Sequence, residues 1–231
     1  MAKQVVGGVS GATLGMLADL ILKLKSGGIT ERELERFTNR QDPFGTVENY
    51  LVEWRRFYSS EVFGIQADLS GIRIPPERKG FGWLVVMLKG MTAQKLFDKC
   101  AERFKVWKYT GQNLDNIITS DRTSANTYAV FFRDRVEADE ELKNKSANDL
   151  KSANILGITI EERFLWELFY YWKTKKHLDM KNTTLCFGSR YLDGGVPDVD
   201  WGSDCDRLRV SWCPPDDLDG SVRGREAVSL P

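Results

Sequence analysis

At 231 residues, with 42% apolar and 29% charged side chains, the chain is long enough to bury a core and sits near the globular average, which excludes wholesale disorder. Thirty-three basic side chains balance thirty-three acidic ones, which removes the basic excess that a dedicated nucleic-acid binder uses to displace counterions from phosphates. A single histidine, His177, excludes His pairs and multi-His metal sites, and Cys100, Cys186, Cys205 and Cys213 lack C-x-x-C spacing, so reduced thiols are expected.

The segment from Val5 to Leu24 is apolar but broken by four glycines, Asp19 and Lys23, so it predicts neither a membrane span nor a signal peptide. A cytoplasmic protein is the resulting expectation. Leu14, Leu17, Ile21 and Leu24 recur at helical spacing, Ser26-Gly27-Gly28 breaks the run, and Thr30 with Glu33 forms a capping box for a second helix carrying Leu34 and Phe37. This hairpin at 13–38 resembles the short oligomerisation motif called SHOCT. The resemblance implies homo-oligomers, and a hairpin packed on its own chain is the equal alternative.

A third helix is predicted over Val47 to Tyr58, followed by a Pro-interrupted extended stretch from Ile72 to Lys79 where a domain boundary is expected. Gly82 to Gly90 predicts a buried strand, and the following run a helix through Leu96, Phe97, Cys100 and Phe104, with Cys100 a core residue. Tyr128 to Arg135 predicts a strand, Val136 to Leu150 a polar helix, and Thr159 to Lys176 a long helix opened by the Thr159–Glu162 capping box. Its aromatics read as core, and Leu165, Leu168 and Trp172 are expected to pack it on the C-terminal strands. His177 reads as part of a basic turn, with Lys173, Lys175 and Lys176, complementing the helix dipole.

From Asn182 the composition changes: Lys, Glu, Gln and Met vanish until Glu226. These types make up roughly 18% of the chain, so about eight are expected in about forty-four positions, and chance absence is on the order of one in several thousand. Within the tract, Leu208, Val210 and Trp212 alternate with Arg209, Ser211 and Cys213, and Val199 and Trp201 alternate with Asp198 and Asp200. The first members of each set are expected to face a core and the second to face solvent. Gly202 to Arg207 and Pro214 to Arg223 read as loops, and "REAVSL" as a last strand.

The segments "RDRVEADEELKNKSANDLK", "ITIEERFLWELFYYWKTKKHLD", "TLCFGSRYLDGGVP" and "GREAVS" resemble those of a family from candidate-phylum bacteria in which they recur around a changeable tail. That tail is similar to the variable region of target proteins of diversity-generating retroelements. The resemblance implies an α+β fold: a helical region over residues 1–75, a strand-helix region over 76–125, and a C-type-lectin-like (formylglycine-generating-type) domain over 126–231. It also implies a diversified tract over about 188–225 that binds an unknown protein or other macromolecule. Randomising the adenines of an asparagine codon ending in C or T never yields Lys, Glu, Gln, Met or Trp, and the first four are the types missing here.

The candidate ligand-binding residues are Asp198, Asp200, Gly202, Ser203, Asp204, Cys205, Asp206, Arg207, Arg209, Ser211, Cys213, Asp216, Leu218, Gly220 and Ser221. No catalytic residue, metal or cofactor is expected, and nucleic acid is not the expected partner. Three other readings stay open. One is an enzyme using Asp134, Glu137 or Asp139 in a cleft or the Cys205–Cys213 pair. The others are a calcium site among the eight aspartates from Asp193 to Asp219, and a nucleic-acid contact through Lys173, Lys175 and Lys176. An ordinary β-rich subdomain with turn-rich loops is the plain alternative.

Overall fold

The computed structural model describes residues 11–26, 34, 37, 38 and 47–230, and the chain divides into two compact units, Met1–Gly45 and Thr46–Pro231. In the first, α1 (Gly11–Lys25) forms where the leucine spacing predicts it, with Lys23 and Lys25 at the negative end of its dipole. Leu14, Leu17 and Ile21 are exposed on it. The Thr30–Glu33 capping box lies outside the described residues, and no described helix is long and apolar enough to cross a membrane.

The second unit is α+β. Helix α2 (Val47–Ser59) buries Tyr50, Trp54, Phe57 and Tyr58. Trp54 Nε1 and Tyr58 OH donate to the carbonyls of Leu84 and Val86 at 2.9 and 2.6 Å, so the polar tips of these rings are satisfied inside the core. Because α2 is bound into this unit, the division falls at Gly45 and Thr46, and the Ile72–Lys79 stretch runs within one unit instead of bounding a domain.

Strand β1 (Phe81–Met87) is buried along its whole length and pairs antiparallel with β4 (Tyr128–Arg133), to whose other edge the C-terminal segment adds through a Phe131–Val228 bridge. Helix α3 (Ala93–Ala101) starts at the Thr92 cap and buries Leu96, Phe97 and Cys100. Short strands β2 (Val106–Lys108) and β3 (Ile118–Ser120) follow, both missed by the sequence reading because three residues are too short to show a period.

The expected polar helix over Val136 to Leu150 does not form. A 3-10 turn at Glu140–Leu142 and a six-residue helix α4 (Ala147–Ser152) replace it. Asn144 takes a left-handed φ of 54°, which ends any helix there, and a Ser146–Asp149 capping box starts a new one. Helix α5 (Ile160–Thr174) begins at the Thr159–Glu162 capping box, as the sequence predicts.

Helix α5 is the centre of the unit. It is buried continuously from Glu162 to Tyr170, touching β1 and β7, with Trp54 of α2 stacked on Phe169 at 4.2 Å and Phe132 of β4 stacked on Trp166 at 5.1 Å. Leu165 and Leu168 are in the core, but Trp172 faces α2 through Phe57 at 5.6 Å instead of the terminal sheet.

The remaining strands are β5 (Thr183–Leu185), β6 (Ser189–Tyr191), β7 (Val196–Gly202), β8 (Arg207–Cys213) and β9 (Val222–Gly224). They form a mixed five-stranded sheet, β2-β8-β7-β5-β9, beside a β3-β6 pair. The last strand falls at Val222–Gly224, ahead of "REAVSL", which keeps only the single-residue bridges of Glu226 and Val228. Gly157 and Gly188 meet backbone to backbone: Gly188 N donates to Ile158 O at 3.0 Å, and a Cβ at Gly188 would lie 2.5 Å from Gly157 O.

Candidate binding surface

The β7–β8 hairpin sets the faces of the tract. Val199 opposes Val210, Trp201 opposes Leu208, Asp198 opposes Ser211 and Asp200 opposes Arg209. Val199, Trp201, Leu208 and Val210 therefore share the inner face, and all four are buried in the main core. Asp198, Asp200, Arg209, Ser211 and Cys213 share the outer face, as the alternation predicts.

Sharing the outer face does not expose them all. Asp198 and Asp200 are only 9% and 8% accessible, against the expectation that they face solvent. A second layer is the cause. Leu142, Ala147 and Leu150 pack on Leu185 and Val196 of that face, and Leu185 is the register partner of Asp198. Loop 214–221 is tied to this layer, with Asn148 N donating to Pro215 O at 3.1 Å and Asn148 Nδ2 to Asp216 Oδ1 at 2.6 Å. Burial first, and then the neighbouring Asp200, pushes the Asp198 carboxyl up to about 7.

Asp200 instead has a partner. Arg209 Nε donates to its Oδ1 at 3.0 Å and Nη2 to its Oδ2, a two-point pair lying across Gly202. A Cβ at Gly202 would lie 2.7 Å from Cys205 Sγ and 2.9 Å from Arg209 Nε, so this buried glycine leaves room for the pair. Arg209, Arg207, Ser211, Cys205 and Cys213 are half-buried. Ser203, Asp204, Asp206, Asp216, Leu218, Gly220 and Ser221 are exposed.

Trp212 departs from the pattern. It is 45% exposed, because β8 runs past the edge of the core there and the ring rests on Gly195 and near Tyr109, 6.2 Å away. The two tract cysteines sit at opposite ends of the hairpin, Cys205 beside Gly202 and Cys213 opposite Val196, all four cysteines being free. Six residues of strand, about 20 Å, separate those ends, which rules out a Cys205–Cys213 bridge or dyad.

Both loops open onto one cleft of about 310 Å³. It is lined by Asp200, Trp201, Gly202, Ser203, Asp204, Arg209 and Ser221 from the 198–221 strands and loops, and by Met180 to Thr183. The latter segment is held by Glu137, whose Oε2 accepts Lys181 N, Asn182 N and Asn182 Nδ2 at 3.1 to 3.2 Å.

Behind the inner face lies a buried charge network that the sequence reading missed. Arg163 donates to Glu167 at 2.6 Å and to Asp179 at 2.9 Å, and Arg225 donates to Asp179 at 2.5 Å and to Thr184 Oγ1 at 2.9 Å. Two cations thus meet two carboxylates, and Arg225 also covers the Trp166 ring at 4.6 Å. The readable signal was an Arg–Glu pair at i, i+4 within the aromatic-rich middle of the helix. His177 belongs here rather than to a basic surface turn: Nδ1 lies 2.8 Å from Glu167 Oε1, and the ring stacks on Trp201 at 3.2 Å.

The other candidate groups do not converge. Asp134 lies buried against Gly82, Asp139 accepts from Arg133 at 3.2 Å and Glu226 N at 2.8 Å, and Glu137 braces the cleft wall. Lys173 pairs with Glu53 at 2.6 Å, and Lys175 lies over the Tyr171 ring. Among the described residues no three His, Cys, Asp or Glu side chains are placed to hold a metal ion. Comparison with protein-family models, with curated proteins and with solved structures returns no match for this chain.

Proposed function

We propose that this chain is a ligand-binding protein whose C-terminal tract is a diversified surface, like the variable protein of a diversity-generating retroelement, carried on a C-type-lectin-like domain. The observation that carries the reading is the cleft: six of the candidate residues, drawn from both loops and both long strands, line one opening. Within the tract that lacks Lys, Glu, Gln and Met, the 203–207 and 214–221 loops are open or half-open, while its core positions include Val199, Trp201, Leu208 and Val210. Loops on a rigid sheet are the arrangement by which binding proteins vary contact chemistry without losing their fold.

The structure narrows the candidate set. Ser203, Asp204, Asp206, Asp216, Leu218, Gly220 and Ser221 are open to a macromolecular ligand, and Cys205, Arg207, Arg209, Ser211 and Cys213 are half-open. Asp198 and Gly202 support the surface from beneath. Sequencing this locus across a population tests the reading: substitutions should concentrate at the accessible positions and spare Val199, Trp201, Leu208 and Val210. Substitutions spread evenly over the chain would overturn it.

A further inference from the structure

At the β2 edge of the C-terminal sheet two aromatic rings stand open beside an acid. Strand β2 runs on past Lys108, with Tyr109 N donating to Val210 O at 3.0 Å. This brings the Tyr109 ring to 6.2 Å from Trp212 of β8, with the planes inclined at 49°. Tyr109 and Trp212 are 38% and 45% exposed, so neither ring is covered. Buried Tyr191 of β6 meets Tyr109 at 5.4 Å and 89°, an edge-to-face contact that fixes the Tyr109 ring against the fold.

The acid is Asp193, in the turn between β6 and β7, whose Oδ1 accepts Gly195 N at 3.0 Å. A Cβ at Gly195 would lie 3.1 Å from Trp212 Cε3 and 3.2 Å from Asp193 Oδ1, so the ring and the carboxylate lean on the same glycine. Asp193 also acts on Tyr109, whose hydroxyl is held above its ordinary range by burial first and then by this negative charge. The neighbouring cations are engaged elsewhere. Lys108 donates to Gln112 O and lies over Phe97, and Arg190 donates to the carbonyls of Phe187 and Ser189 at 2.9 and 2.8 Å. Among the described residues no Lys or Arg lies over Tyr109 or Trp212, and none pairs with Asp193.

We propose that Tyr109, Trp212 and Asp193 form a recognition site for an alkylated ammonium group. The negative face of an aromatic ring attracts a cation within about 6 Å of its centroid, and two centroids 6.2 Å apart let one cation stand about 4.5 Å from both. Asp193 supplies the balancing charge. A primary ammonium carries three donors that need acceptors, and this site offers ring faces and a single carboxylate. An ammonium whose N–H groups are replaced by methyls therefore loses least on leaving water. None of the three residues lines the loop cleft, and Tyr109 lies outside the tract, so the site does not depend on the diversified-surface reading. The same group arrives free, as in choline, or on a trimethylated lysine of a protein.

The test titrates the isotope-labelled full chain with choline and with a trimethyl-lysine peptide, using ammonium chloride and the unmodified lysine peptide as controls. The Trp212 indole N–H resonance should move, and choline should bind at least about fivefold tighter than ammonium. Trp212→Leu and Tyr109→Leu should each weaken choline binding about fivefold and Asp193→Asn about threefold, while Tyr109→Phe keeps it within about twofold because the ring face makes the contact. Tighter binding of the peptide assigns a protein side chain as the source, and tighter binding of choline a free small molecule. A Trp212 resonance unmoved at about 50 mM of either probe, equal affinity for choline and ammonium, or wild-type affinity in both leucine variants would each overturn the proposal. Should a leucine variant fail to fold, Asp193→Asn, a change at an exposed side chain, and the preference for choline over ammonium decide between the same outcomes.

Discussion

The two faces of the C-terminal sheet handle charge in opposite ways. On the inner face, Arg163, Glu167, Asp179 and Arg225 are almost wholly buried, and each has at least one charged partner within hydrogen-bonding distance. On the outer face, Asp200 is paired with Arg209, while the largely buried Asp198 has Asp200 and Asp219 as its nearby acids. The inner arrangement ties α5, the following segment, β5 and the C-terminal segment into one piece, so it behaves as scaffold. The outer one joins only the neighbouring strands β7 and β8 through Asp200 and Arg209.

The largest effect should come from cutting the inner network. Arg163→Met leaves Glu167 and Asp179 buried with one cation fewer and should cost about 3–5 kcal/mol by chemical denaturation. A change below about 1 kcal/mol would show that the inner charges are no more scaffold than the outer ones.

Two tryptophans of the tract sharpen the contrast. Trp201, 5% accessible and stacked on His177, should cost about 3–5 kcal/mol when replaced by alanine. Trp212→Ala should cost only about 1–2 kcal/mol, since roughly half of its side chain is already in water. Equal losses would mean that both rings belong to the core.

Asp198 provides the pH test. Its carboxyl is raised from an unfolded value of 3.8 to about 7, so between those values the folded state holds the extra proton. Stability from this group therefore falls as pH rises through that window, by up to about 4 kcal/mol for a shift of roughly three units. Asp198→Asn should flatten that slope and raise the unfolding midpoint above neutral pH. An unchanged slope would place the titrating group elsewhere.

The smallest effect belongs to the open loops. Replacing Ser203, Asp204, Asp206, Asp216 and Ser221 together with Ser, Tyr or Asn should leave stability within about 1 kcal/mol, measured by thermal melting. Loss of the fold would make the loops ordinary structure and remove the contrast between the faces.

Much of the chain was legible because its signals are local. The Thr159–Glu162 capping box and the aromatic spacing define α5, the glycine-bounded run defines β1, and strict alternation assigns Val199, Trp201, Leu208 and Val210 to the inner face. The left-handed Asn144 was not legible: charged helix-formers read as one helix, and the break follows from packing Leu142 and Leu150 on the sheet.

The sequence alone determined which side chains of the tract share a face, because side-chain direction in a strand alternates whatever surrounds it. It also determined that the tract is compositionally unlike the rest of the chain. Only the tertiary structure decided how deep each face lies. Asp198 and Asp200 are buried where Leu142, Ala147 and Leu150 add a second layer to an outer face that alternation alone assigns to solvent, and Trp212 is exposed because the core ends before β8 does. The pairing of Arg163 and Glu167 with Asp179 and Arg225 likewise joins segments distant along the chain. Accessibility and charge pairing depend on what arrives from elsewhere in the sequence, and no local period records that.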